Sequence, residues 1–181
     1  MTTPMLTVRE LGPHDGAVLD TVFAGLSTLS RFRRFHGAMP RMPSSTRTLL
    51  AAVDGRRHMA LGAFAGPEPV GIARLIAIGP GRAELAVEVV DEWQGNGIGA
   101  RLVREVVALG RARGITEVVA EVLAENAAMR RVLALTFPEL LVTSSGPEIT
   151  YVGRTPRPAR ARRGRRACGS RTARCRRGRG R

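Results

Sequence analysis

The sequence predicts an α/β (α+β) fold, with a mixed, mostly antiparallel central sheet flanked by helices. Three observations carry this. Alternating segments from His58 to Val90, broken by the turns Gly66-Pro67-Glu68-Pro69 and Gly79-Pro80-Gly81-Arg82, read as a three-strand antiparallel meander. A glycine-rich stretch, Gln94-Gly95-Asn96-Gly97-Ile98-Gly99, joins the last of these strands to an amphipathic helix, and Ile115 to Leu123 then returns as a further strand. At 181 residues and 44% hydrophobic content, the chain holds enough apolar side chain for one domain with a real core.

Taken in order, Leu6 to Leu11 reads as a first strand, and Gly12-Pro13-His14-Asp15 turns into a helix with Asp15 at its N-cap and Val18, Val22 and Leu26 as its apolar stripe. Ser30 to His36 clusters arginines and aromatics ahead of the irregular Gly37 to Pro43. This region reads either as an acceptor-binding loop or as Phe32 and Phe35 packed in the core with the arginines solvated. Ser44 or Ser45 caps a second helix bearing Leu49, Leu50 and Val53, which Asp54-Gly55 ends. After the first two meander strands, His58 to Ala65 and Val70 to Ile78, the third runs from Ala83 to Val90. It places Leu85, Val87 and Val89 on one face and Glu84, Ala86, Glu88 and Val90 on the other. Beyond Gly97 the period becomes helical, with Ile98, Leu102, Val106 and Leu109 on one stripe and Gly114 as the stop. A short helix from Asn126 to Leu135 and a final strand from Glu148 to Val152 complete the domain.

The glycine segment lies where a helix begins and its first backbone N–H groups have no partners, a setting that holds phosphate. Gly95, Gly97 and Ala100 satisfy the dinucleotide pattern G-x-G-x-x-G/A, with Glu117 placed for a ribose. In a dinucleotide site, however, the turn follows the strand directly and more strand–helix units come after it. Here Asp91 to Gln94 intervene, and little foldable chain follows Glu125. A glycine turn that merely lets helix and strand pack closely is the bland alternative. Read as Gln-x-x-Gly-x-Gly/Ala behind an acid-bearing strand, the segment resembles motif A of the GCN5-related N-acetyltransferase (GNAT) family, and the element order from Thr7 to about Gly153 resembles that family's fold.

The resemblance implies a V-shaped opening between the glycine-loop strand and the next strand. It also implies acetyl-CoA as co-substrate, with its pyrophosphate on the N–H groups around Gln94, Gly95, Asn96, Gly97, Ile98, Gly99 and Ala100, its thioester beside Val89 and Val90, and Asn126 in contact with it. Read without the family, Asn126 is equally a helix N-cap. An amine acceptor, protein lysine or small molecule, then attacks the carbonyl directly. A lysine-type amine, with a pKa near 10.4, needs a carboxylate to take its proton, directly or through water. Glu84 and Glu88 are the candidates, about 13 Å apart along one strand face; Glu84 better matches the family's upstream glutamate and is preferred. The oxyanion needs backbone donors, expected from a strand distortion near Val89 and Val90. The family's last helix often carries a tyrosine that protonates the thiolate, but Asn126 to Leu135 has none, and Tyr151 is the chain's single tyrosine and the remaining candidate acid.

The net charge of +14 suggests a nucleic-acid partner until it is located: residues 1–153 are nearly balanced, while 154–181 hold thirteen arginines and no acid. The chain thus divides into a domain, 1–153, and an arginine-rich tail, 154–181, expected to be disordered because it offers nothing large and apolar to bury. Two other functions stay open at this stage, a non-catalytic acyl-CoA-binding module and a nucleic-acid-binding protein acting through this tail. Cys168 and Cys175 lie in the tail and His14, His36 and His58 are scattered, so neither a metal nor a structural disulfide is implied. No signal-peptide run and no membrane-spanning apolar run occurs, and a cytoplasmic protein is expected.

Overall fold

The structure, a computed structural model, describes residues 5–155. The expectation of a disordered arginine-rich tail lies outside the described residues except for Arg154 and Thr155, and these two belong to the fold. Arg154 ends the last strand, and Thr155 is buried with its N–H on Thr116 O at 3.0 Å and its hydroxyl on Ile115 O at 3.1 Å.

Seven strands form one sheet in the order β1-β2-β3-β4-β5-β7-β6. They are β1 (Leu6–Glu10), β2 (His58–Ala65), β3 (Glu68–Gly79), β4 (Arg82–Val89), β5 (Glu117–Leu123), β6 (Leu140–Ser145) and β7 (Glu148–Arg154). All neighbours are antiparallel except β4 and β5, which are parallel because a helix crosses between them. The helices are α1 (Gly16–Ala24), α2 (Thr28–Phe35), α3 (Ser44–Ala51), α4 (Ile98–Ala112) and α5 (Ala127–Thr136). None of the helices among the described residues is long and apolar enough to cross a membrane.

Each face of the sheet has its own core. On one, Leu102, Val103 and Val106 of α4 meet Met59, Leu61, Leu75 and Leu85. The fit is close: a Cβ added to Gly110 of α4 would stand 2.5 Å from Leu75 Cδ1. On the other face, Leu19 and Val22 of α1 and Leu50 of α3 cover Ala60, Phe64 and Ile72. The alternation in β4 therefore serves two cores, with Leu85 and Val87 toward α4 and Glu84, Ala86 and Glu88 toward the side of α1 to α3.

Two elements differ from the sequence reading. The arginine–aromatic cluster is a helix, α2, begun by Ser27, whose Oγ accepts from Ser30 N at 3.2 Å, and ended by His36. Leu29, Phe32 and Phe35 recur on one face of α2, yet no residue of the helix is fully buried; Phe35 is half-buried against the α1–α3 core, 6.0 Å from the Phe23 ring, while Leu29 and Phe32 are exposed. The strand β6 pairs only with β7 and is mostly exposed, so it lacks the alternation that marks a strand in sequence. Asp15 stands at the N-cap position of α1 as expected, but its side chain makes no cap bond; its carboxylate accepts from Gly12 N at 2.8 Å and from Arg9 at 2.7 Å.

Candidate active site

The parallel pairing of β4 with β5 lasts only three residues, Arg82↔Glu117, Ala83↔Val118 and Glu84↔Val119, and then the strands part. Past Glu84 the edge of β4 has no β5 neighbour in the ladder. In the antiparallel ladder with β3, Val90 N–H donates to Val70 O at 2.9 Å. Bonding alternates along such a ladder, so Val89 N–H turns to the opposite edge, toward the opening. This corrects the sequence expectation for Val90: its N–H is already used, and it is not among the residues lining the opening. Nor is a distortion needed there, since the β3–β4 register is regular from Gly71↔Val89 to Ala77↔Ala83.

The opening widens into a cavity of roughly 780 Å³. One wall is β4 from Glu84 to Val89; another is the glycine loop with Trp93, Gln94, Gly95, Gly97, Ile98, Gly99 and Ala100. Gly95 and Gly97 have φ of 78° and 76°, a region that side-chain-bearing residues rarely adopt. Gly97 is the N-cap of α4 and no side chain caps this helix, so the first-turn N–H groups of Ile98, Gly99 and Ala100 are left for a ligand. Gly99 has ordinary backbone, and an added Cβ would only touch Val89 Cγ2 at 3.7 Å. Its lack of a side chain thus serves the cavity rather than the fold. These features fit an anionic group at the head of α4. Gln94 lines the cavity, but its amide nitrogen is engaged by Val89 O at 2.9 Å and by Ser30 Oγ and Asp91 Oδ1, both at 3.2 Å. Asn96 donates to Trp93 O and Gln94 O at 3.2 Å and does not line the cavity, so it shapes the loop.

Helix α2 straps the two diverging arms together. On the β4 side, Ser27 N donates to Asp91 at 3.2 Å and Arg34 pairs with Glu88; on the β5–β7 side, Arg33 lies 3.6 Å from Glu125 and His36 Nδ1 lies 2.9 Å from Glu148 Oε1. Glu88, the alternative candidate base, is buried between two guanidinium groups, Arg34 Nε at 2.5 Å and Arg74 Nη2 at 2.6 Å. Burial by itself pushes the Glu88 carboxyl up, but the charges and hydrogen bonds of Arg74 and Arg34 outweigh it and hold the group below the usual carboxylate range. A carboxylate so held is a weak base. A lone arginine in the apolar run of β3 was the sequence signal for this pair, because Arg74 needs a buried partner.

Glu84 is exposed and faces the cavity. Tyr151 is not at the site: its ring is buried in the α4-side core and its hydroxyl accepts from Arg130 Nε at 3.1 Å. Asn126 is both an N-cap, accepting from Met129 N at 3.1 Å, and a cavity residue. Sequence reasoning missed Trp93, Glu121, Arg131 and Glu148, all of which line the cavity. It also took the histidines as scattered, yet His36, Glu121 and Glu148 bring ligand-type atoms within 4.8 Å of one another. No local motif marks that trio, because its members come from α2, β5 and β7.

Comparison with known proteins gives the same answer as the geometry. The acetyltransferase (GNAT) family model matches residues 27–137, well over half of the chain. The chain belongs to the GNAT family. Among solved structures, the GNAT domain of a Streptomyces lividans protein named PAT is similar over 81% of this chain and 89% of that one, at 25% identity and a TM-score of 0.74. The PaiA N-acetyltransferase of Thermoplasma acidophilum, in complex with coenzyme A, has the same fold at 18% identity, covering 83% of this chain and 99% of that one with a TM-score of 0.64. So does YncA, a putative acetyltransferase from Salmonella typhimurium with acetyl-CoA, at 19% identity, 81% and 91% coverage and a TM-score of 0.60. In this GNAT chain the mixed sheet, the parted strands and the glycine loop are the family architecture, and membership supports acetyl-CoA-dependent acetyl transfer as its general activity.

Proposed function

We propose that this protein transfers the acetyl group of acetyl-CoA to an amine by direct attack. The observation that carries the proposal is the placement in one cavity of an uncapped glycine-rich helix start, a free strand edge at Val89 and an exposed carboxylate at Glu84. The pyrophosphate is assigned to the N–H groups of Ile98, Gly99 and Ala100. Val89 N–H faces the opening and donates to the oxyanion as it develops on the thioester carbonyl. Gln94 and Asn96 act through the loop they brace, and Asn126 presents the start of α5. Glu84 takes a proton from the nitrogen, through water; Glu88 holds α2 against β4.

The test is a panel of amines, from lysine peptides to small polyamines, incubated with acetyl-CoA while free thiol is followed. Glu84→Gln should lower the maximal rate about a hundredfold or more with little change in acetyl-CoA affinity, because only proton removal is impaired. Full rate in Glu84→Gln across the neutral and alkaline range removes Glu84 from this role. Tight binding of acetyl-CoA without turnover of any amine points instead to a non-catalytic acyl-CoA module.

A further inference from the structure

We propose that His36, oriented by Glu148, is a second proton acceptor for the attacking nitrogen. The inference rests on acetyl transfer to an amine as proposed above and adds a residue to it. A protonated amine has two protons to lose from its nitrogen, one before its lone pair is free and one as the amide forms. Glu84 accounts for one of them.

His36 is placed for the other. It ends α2 with φ of 54°, making it the one non-glycine residue with positive φ among the described residues. Such a conformation persists where the surroundings over-determine it. The ring is met by Glu148, brought by β7 from 112 residues away to 2.9 Å from His36 Nδ1. An ionised carboxylate can only accept, so the proton of this contact sits on Nδ1, and Nε2 of the neutral ring keeps its lone pair. His36, Glu148, Glu121 and Glu84 line the same cavity as Val89, Gly97 and Gly99. The other charges around the ring are Arg33, facing Glu125 at 3.6 Å, Arg34, tied to Glu88, and Arg131 on α5. Arg33 and Arg34 face carboxylates of their own, so Glu121 and Glu148, within 4.8 Å of a ring nitrogen, favour an imidazolium, opposed by Arg131.

The steps balance. An N–H bond of the ammonium breaks and its proton moves to His36 Nε2, leaving a neutral amine. The amine lone pair forms the C–N bond, the C–S bond breaks, and the thiolate leaves with the electron pair. The second nitrogen proton departs through the water at Glu84. Imidazole is inherently a stronger base than a carboxylate, so it suits the first and more difficult removal.

Two amines of similar size separate this role from a structural one. Ethylamine is protonated at neutral pH, whereas trifluoroethylamine is largely neutral. With saturating acetyl-CoA, His36→Gln should lower kcat/KM for ethylamine by about a hundredfold, and Glu148→Gln by about tenfold, while either changes that for trifluoroethylamine less than about threefold. Glu84→Gln should lower both, since the second proton leaves either way. His36→Gly suits the left-handed backbone and guards against misfolding; it must show the same selective loss, partly restored by added imidazole. Equal losses for the two amines, or none, overturn the role of His36. Calorimetry keeps the readings apart: failure of the wild type to bind acetyl-CoA sinks the proposed transfer itself, whereas binding and turnover indifferent to His36 and Glu148 sink only this pair.

Discussion

Replacing Glu88 by glutamine tests whether the residue under α2 is a structural anion or a catalyst. The change keeps the shape of the side chain and removes its charge. Arg74, with its side chain only 2% exposed, then keeps a full charge with no anionic partner, facing only neutral acceptors, Leu50 O at 3.1 Å and the amide oxygen of the glutamine. Arginine does not shed its proton in proteins, so the charge persists. Removing one partner of a buried ion pair costs about 3–5 kcal/mol, and in a domain of this size each kcal/mol lowers Tm by roughly 2–4 °C. Glu88→Gln should therefore melt about 6–20 °C below the wild type at neutral pH, read by circular dichroism with urea midpoints as a check. The sign with pH follows from the depressed carboxyl. Its contribution is complete above the unfolded value of about 4.3 and disappears as pH falls through the lower folded value, so the two proteins should converge in strong acid. Replacing Arg74 and Glu88 together by apolar residues of similar volume should restore most of the stability. An unchanged Tm at neutral pH, or a gap that widens toward acid, refutes the argument. Unchanged Tm with turnover abolished would make Glu88 the base in place of Glu84.

Two further substitutions separate the demands of the site from those of the fold. At Gly99 the backbone is ordinary and an added Cβ would reach Val89 Cγ2 at 3.7 Å, so Gly99→Leu should keep its Tm within a few degrees while acetyl-CoA binding by calorimetry is lost. Gly110→Ala drives a methyl group to 2.5 Å from Leu75 Cδ1, and overpacking of this kind should cost about 1–3 kcal/mol in urea unfolding with acetyl-CoA affinity unchanged.

What the sequence determined by itself is local. The alternation of Ala83 to Val90, the helical stripe after Gly97 and the glycines at 95 and 97 depend on residues a few positions apart, and periodicity and turn chemistry act over that range. They sufficed for the meander and the glycine loop, whereas the preference for Glu84 over Glu88 came from the resemblance to the family. Helix α2 escaped although Leu29, Phe32 and Phe35 recur at helical spacing, because its eight residues give barely two turns of that pattern, and β6 because it is mostly exposed with a single pairing partner. The tertiary structure alone decided the rest. Glu84 and Glu88 are alike in sequence, but Glu88 meets Arg74 and Arg34, 14 and 54 residues away, while Glu84 meets the cavity. Tyr151, the only tyrosine, is turned into the core by β7, and the same strand carries Glu148 to His36. Charge states and hydrogen-bond partners at the site follow from which strands end up adjacent and where two of them part, and no short stretch of residues encodes that adjacency.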